Sequence, residues 1–190
     1  MTTLAQSPLM TTEQLLAFPE DGIDRELIGG RLLEKPMTRR NRRHSRTESN
    51  VTRLLGQWLT TRPEPRGEVL SGEAGFRIRR DPDTTVGIDV AYITAETARA
   101  NPDDAFLIEG VPELAVEILS PSDTHEAISL KVQSYLDADV PLIWVVDPIF
   151  RTVTVYNIDA EPVLFNATQE LDGGPRLPGF RVAVVELFGA

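Results

Sequence analysis

Two acidic residues sit where apolar residues are expected. Asp89 interrupts the run VGIDVAYI, and Glu117 interrupts LAVEILS. A carboxylate removed from water without a partner is expensive, so a buried acid is neutralised, paired or bound to a cation. For one such acid alone, a strand end facing solvent or an arginine partner is the commoner explanation. Two acids in neighbouring strands that face one another raise each other's pKa. A divalent cation between them removes the penalty and keeps both ionised. Magnesium and manganese suit oxygen ligands and retain water for chemistry.

Lys131 is a third residue out of place. It lies three residues after Ile128 and four before Tyr135, on or beside the apolar face of a helix. One reading is a snorkelling stem that covers the core edge. The other is an ammonium aimed over the sheet toward Glu117. There it would orient or deprotonate a metal-bound water, or stabilise charge building on a phosphate.

The net charge of −10 argues against a nucleic-acid partner, but the charge is unevenly spread. Residues 31–53 carry eight Lys/Arg against Glu34 and Glu48, a net +6, which leaves −16 on the rest. A basic patch on an acidic body is still an electrostatic footprint. Charge runs of this kind are commonly solvated loops without a partner. Here Arg39, Arg40, Arg42, Arg43 and Arg46 lie just before or inside the first turn of a helix, where positive charge opposes the macrodipole. A polyanion would compensate.

The elements that must hold these residues follow from periodicity. Thr11-Thr12-Glu13 caps a short helix that Pro19 ends, and RELIGGRLLEK reads as a hairpin turning at Gly29-Gly30. Val51, Leu54, Leu55, Trp58 and Leu59 form one face of a long helix. From residue 68 the period changes to two, with GFRIRR alternating. GIDVAYI, ELAVEIL and PLIWVVD read as buried strands, with a helix capped by Ser122 or Asp123 between the last two. Ile128, Val132, Tyr135 and Leu136 are its expected inner face. TVTVYNI, PVLFNA and FRVAVVELF read as further strands. The sum is an α/β or α+β fold: residues 1–9 as a loose arm and 10–190 as one domain. At 190 residues the chain buries a sufficient core without staples.

Several chemistries are excluded. The chain has no cysteine, hence no disulfide, zinc-thiolate site or thiol nucleophile. Two histidines, His44 and His125, are too few for a His-rich metal site. There is no Gly-rich phosphate loop and no Gly-x-Ser-x-Gly elbow. No apolar run reaches the ~20 residues of a membrane span, and no signal peptide is read at the N-terminus, so a cytoplasmic protein is expected.

Taken in order, these pieces resemble the Uma-two family of proposed restriction endonucleases, in the PD-(D/E)XK nuclease superfamily. The similarity runs from about residue 10 to 186. TTEQLLAFPEDGIDRELIGGRL is similar to the family's opening helix and ELIDGEL-like hairpin. His44 matches its histidine at the start of the long helix. Ile88-Asp89 matches its Pro-Asp strand, with isoleucine in place of proline. Glu117-Ile118-Leu119-Ser120-Pro121-Ser122 matches its EVLSPS stretch. Lys131 and Tyr135 match the lysine and tyrosine that follow, and Trp144 through Asp147-Pro148 its tryptophan strand. The resemblance implies a restriction-endonuclease-like mixed sheet flanked by helices, with an N-terminal helix and hairpin. It implies that Asp89 and Glu117 bind a divalent metal. The superfamily's usual lysine position, two residues after the acid, is Leu119 here. The family pattern moves the lysine to the next helix, at Lys131. Glu26 matches the hairpin glutamate and is a candidate to complete the acidic cluster, with Glu48 as an alternative. His44 and Tyr135 are supporting candidates.

The expectation is a Mg²⁺- or Mn²⁺-dependent endonuclease that hydrolyses DNA phosphodiesters with a metal-activated water. Asp89, Glu117, Lys131 and Glu26 would act at the bond. Arg39, Arg40, Arg42, Arg43 and Arg46 would contact the phosphate backbone, giving affinity without sequence readout. No separate recognition domain is visible, so sequence preference would come from loops or from a homodimer. The alternative is an inactive nuclease-fold module that binds nucleic acid or protein, which the −16 remainder favours. A hydrolase of another phosphoester shares the site without using the basic patch.

Overall fold

The structure is a computed structural model that describes residues 8–37 and 41–189. Most of the expected N-terminal arm, together with Arg39 and Arg40, lies outside the described residues.

Among the described residues the first element is helix α1 (Thr12–Leu16), where Thr11 and Gln14 form a reciprocal capping box. Strands β1 (Ile23–Ile28) and β2 (Arg31–Pro36) then form a hairpin. Its two-residue turn needs positive φ at both positions, and Gly29 (58°) and Gly30 (74°) supply it. Helix α2 (Arg42–Thr60) is capped by Asn41, whose side chain accepts the N–H groups of Arg43 and His44. Strands β3 (Glu68–Arg79) and β4 (Thr84–Ile93) form a long antiparallel pair. Helix α3 (Ala95–Ala100) and strands β5 (Ile108–Glu109) and β6 (Leu114–Ile118) follow. Helix α4 (His125–Asp137) crosses from β6 to β7 (Leu142–Asp147), which runs parallel to β6. Strands β8 (Thr152–Asn157) and β9 (Ala160–Asn166) extend the sheet antiparallel. Strands β10 (Glu170–Asp172) and β11 (Arg181–Ala183) form a separate pair, and a 3-10 helix (Val184–Phe188) ends the fold.

The main sheet runs β2-β1-β4-β6-β7-β8-β9, with β3 paired to β4's other side and β5 paired to β3. It is a mixed sheet flanked by helices. Alternation along β6 and β7 divides the core. Val116 and Trp144 face α2's Val51, Leu54, Leu55 and Trp58, whereas Ala115 and Ile143 face the cluster that contains Tyr135 of α4. Glu117 is two residues from Ala115, and its carboxylate meets Tyr135 on that side.

The structure corrects several sequence expectations. FRVAVVELF is not one strand. It divides into β11 and the 3-10 helix because Val184, Leu187 and Phe188 pack into the α2-side core. Thr124 caps α4, while Asp123 accepts the Ser120 N–H. Ile128 is half-buried and lines a cleft instead of the core. Helix α3 was not legible because none of its residues is buried, so no apolar period marks it. Among the described residues no helix is long and apolar enough to cross a membrane.

Asp83, in the β3–β4 turn, anchors the opening helix. Its Oδ2 accepts the Thr12 N–H at 2.7 Å and the Thr12 hydroxyl at 2.6 Å, and its main-chain oxygen accepts the Gly30 N–H at 2.6 Å. Burial works against the Asp83 charge, but the bonds from Thr12 and the nearby Arg77 outweigh it and hold its carboxyl below the ordinary 3.8. A depressed carboxylate stabilises the fold above the unfolded value, and that contribution is lost as pH falls through the folded one. Asp83→Ala is expected to lose about 2 to 3 kcal/mol by urea titration at pH 7. The gap to wild type should narrow below pH 4.

Candidate active site

The site lies where the sheet forks. β1 and β6 both pair with the same side of β4, β1 at Thr85 and β6 from Val90 to Tyr92. Between them the main chain of Gly87 meets side chains in place of a strand. Glu26 Oε1 accepts the Gly87 N–H at 3.0 Å, and Lys131 Nζ donates to the Gly87 oxygen at 2.8 Å. The Gly87 peptide is half-buried and leaves the strand ladder on this side, and Glu26 and Lys131 supply the acceptor and the donor that a neighbouring strand would have given.

The two intrusive acids meet at the same fork. The β4–β6 ladder stops at Val90 and Val116, one residue short of Asp89 and Glu117. Asp89 Oδ2 replaces the next ladder bond by accepting the Ile118 N–H at 2.7 Å. Glu117 is held from α4: Tyr135 donates its hydroxyl to Oε1 at 2.5 Å, and Lys131 Nζ lies 3.0 Å from Oε2. The same ammonium is 3.1 Å from Glu26 Oε1. Lys131 therefore binds two carboxylates and one carbonyl, which satisfies its three donors.

His44 approaches from α2 and is 1% exposed. Its Nε2 lies 3.3 Å from Asp89 Oδ2 and its Nδ1 3.8 Å from Glu48 Oε2. Neither ring nitrogen is aligned for a hydrogen bond. Glu48 is directed elsewhere, accepting the Gly72 N–H at 2.9 Å.

The electrostatics separate the two acids. Burial raises the Asp89 carboxyl, but His44, the Ile118 N–H and Lys131 together outweigh it, so the group stays below its ordinary value. Burial raises Glu117 to about 7, with Lys131 opposing and Asp89 and Glu26 adding to the rise. Burial also acts against the Lys131 charge, yet Glu117, Tyr135 and Glu26 hold its pKa well above the ordinary 10.5. Tyr135 is pushed up by burial and by Glu117, so it remains a donor. One carboxylate is firmly ionised, and the other shares the pH range in which enzymes work.

A cleft of about 350 Å³ opens above these groups. Its walls bring together Asp24, Glu26, Glu34, Glu73, Asp89, Glu117, Asp123 and Glu126 against Lys35 and Lys131. So acidic a cleft repels a phosphate until a cation enters it. The oxygen donors of Asp89 and Glu117 suit a hard divalent cation. Among the described residues, no three His, Asp or Glu side chains are disposed to hold a metal by themselves. The remaining ligands of any ion would be water and substrate, the usual arrangement for magnesium.

Asp89, Glu117, Lys131, Glu26, Tyr135 and His44 thus come together at one fork, while Glu48 stands apart. Arg42 and Arg43 are exposed in the first turn of α2 and line a separate groove with Leu119 and Pro121. Arg46 is exposed, but its stem lies against Gly189 and away from that groove. The sequence reading missed the peptide of Gly87, the common partner of Glu26 and Lys131. Strand pairing alone exposes that need.

Comparison with known proteins yields one family. The Uma2 family, described as "Putative restriction endonuclease", matches residues 12–185. Among solved structures, the crystal structure of "a putative nuclease belonging to DUF820" from Anabaena variabilis superposes with a TM-score of 0.78. It is 20% identical, over 94% of this chain and 97% of that one. No curated protein matches the sequence.

Proposed function

Because this chain belongs to the Uma2 family, we propose that it is a metal-dependent endonuclease that hydrolyses DNA phosphodiesters at the fork between β1 and β6. The observation that carries the proposal is the Lys131 ammonium, seated between Glu117 and Glu26 beside the buried Asp89. Structural need alone does not place three acids and one lysine in a solvent-reaching cleft, since an apolar network of similar volume is as stable or more so.

Asp89 and Glu117 would hold Mg²⁺ or Mn²⁺. When bound, the ion supplies a water of lowered pKa and polarises the scissile phosphate. Asp89 is pre-ionised and aimed by the Ile118 N–H, with His44 steadying it from behind. Tyr135 fixes the rotamer of Glu117, so its second oxygen points to Lys131 and the cleft. Lys131 would turn from Glu117 toward the phosphate, holding the attacking water in line or offsetting charge on the transition state. Glu26 and the Gly87 oxygen keep the ammonium at the fork while it does so. Arg42, Arg43 and Arg46 would hold flanking phosphates, with a second copy of the chain as one source of sequence preference.

A cleavage panel tests this reading. Supercoiled plasmid, linear duplex and single strands are incubated with Mg²⁺, Mn²⁺ or EDTA. Nicking that needs the metal is expected. A folded protein that cuts none of these would favour the binding module.

The raised Glu117 carboxyl gives a pH dependence. A carboxyl whose folded pKa lies near 7 instead of 4.5 holds a proton that the unfolded chain has lost. Its contribution to stability therefore falls as pH rises between those values. A divalent ion competes with that proton, so its apparent affinity drops about tenfold per pH unit below 7. Manganese should raise the melting temperature far more at pH 8 than at pH 6, and Glu117→Gln should remove the difference. An equal rise at both values would argue that Glu117 is not a ligand.

A further inference from the structure

The turn from β7 to β8 exposes apolar surface with no structural use. Phe150 is 78% exposed and Ile149 56%. None of the ring contacts among the described residues involves Phe150. The turn that carries them is held in place. Asp147 Oδ1 accepts the Ile149 N–H at 2.7 Å and the Phe150 N–H at 3.0 Å. Arg151 takes a left-handed φ of 55° and sets its guanidinium over the Phe188 ring at 5.9 Å. A pinned turn that keeps a phenyl ring in water presents it with little further loss of backbone freedom on binding.

The surroundings of the turn give the partner's chemistry. Ile149 and Pro148 line a groove of about 340 Å³ whose charged residues are Arg42 and Arg43. The groove adjoins the acidic cleft through one strand. Glu117 and Ile118 line the cleft, and Leu119, the next residue, lines the groove. The Leu119 N–H is bonded to the Val146 oxygen at 2.9 Å, which fixes the groove floor to β7. Across the groove, Arg43 directly precedes His44, which contacts Asp89.

We propose that this turn is a stacking platform for an unpaired DNA strand. Phe150 would stack on a base, and Arg42 and Arg43 would hold the neighbouring phosphates as the strand runs into the cleft. The inference rests on the nuclease reading and narrows its substrate to single strands, frayed ends or overhangs. In a duplex the base faces are covered by their neighbours, so a protruding ring has nothing to stack on. Arginine contacts to phosphate serve both forms alike, whereas base stacking is available to the unpaired strand alone. The two charged residues that line the groove are cationic, and the exposed Phe150 ring follows directly on its Pro148-Ile149 wall, which suits a polyanion with flat rings.

The test measures binding without turnover. A labelled 12-nucleotide single strand and the matching duplex are titrated in EDTA by fluorescence anisotropy, using the full chain. Phe150→Ala should weaken single-strand binding about tenfold and change duplex binding less than twofold. Phe150→Trp should keep single-strand binding. The double reversal Arg42→Glu, Arg43→Glu should weaken both forms. The exposed ring leaves the fold intact when removed, so the melting temperature of Phe150→Ala should match wild type. Unchanged single-strand binding in Phe150→Ala would overturn the inference, as would an equal loss for both forms or binding of an acidic peptide in preference to DNA. Absence of binding to either DNA would overturn it too. Metal-dependent plasmid cleavage by the same preparations then decides the nuclease reading separately.

Discussion

Asp89→Ala should abolish cleavage and leave DNA binding as strong or stronger. Removing a partner that merely orients a metal ligand already lowers metal affinity or activity about 10- to 100-fold. Loss of an ionised ligand should exceed that range. Binding should not suffer, because the variant removes a negative charge from a cleft that opposes phosphate. One unit charge at 4 Å is worth about 1 kcal/mol in water, or about fivefold in affinity. The alanine variant also deprives the buried Ile118 N–H of its acceptor and removes the carboxylate that lies 3.3 Å from His44. Asp89→Asn is therefore the companion variant, since its amide oxygen can still accept from Ile118. Both proteins are assayed for plasmid nicking in Mg²⁺ and Mn²⁺, and for duplex binding in EDTA. Cleavage at the wild-type rate by a folded Asp89→Asn protein would remove Asp89 from the chemistry. Loss of binding together with cleavage would assign it to substrate contact instead.

Lys131→Met should be costly in two distinguishable ways. The methionine fills the stem's space but leaves Glu117 and Glu26 without their cation and the Gly87 oxygen without its donor. Breaking one side of a buried ionic network costs about 3 to 5 kcal/mol. In EDTA the melting temperature should fall sharply. A divalent ion can take over the neutralising charge, so manganese should restore much of the loss and raise the melting temperature more than in wild type. Cleavage should stay absent even in the metal-stabilised protein, because the ion replaces the charge of Lys131 but not its donors. Thermal melts with and without manganese, followed by nicking assays at saturating metal, separate the two effects. Recovery of both stability and cleavage would reduce Lys131 to a structural counter-ion. Failure of manganese to stabilise the variant would count against a metal at Glu117.

Asp89 and Glu117 were legible because an acid in an apolar strand violates the pattern that burial imposes. Lys131 was legible for a similar reason, as a cation on the inner side of a helix. The long helix and the central strands were equally plain, since their apolar periods are what the core requires. Glu26 was identified only by family resemblance, because in a hairpin with one exposed face a glutamate is unremarkable. The tail FRVAVVELF shows the converse error. Its apolar density indicated burial correctly, but density does not distinguish a strand from a short 3-10 turn packed on α2.

The sequence by itself determined the fold class and which charged residues stand out of place, because one-dimensional periodicity already records which side chains leave water. Only the tertiary structure decided that β1 and β6 share one side of β4, since strand pairing joins residues far apart in the chain. That fork leaves the Gly87 peptide to be satisfied by Glu26 and Lys131, brings Asp89 to the Ile118 N–H, and places Glu117 beside Tyr135. Hydrogen-bonding demand at an interrupted ladder is a property of the paired sheet and of no single segment. The acids, the lysine and their approach to one another were therefore nameable from the sequence, whereas the Gly87 peptide and the Ile118 N–H that hold them in place were not.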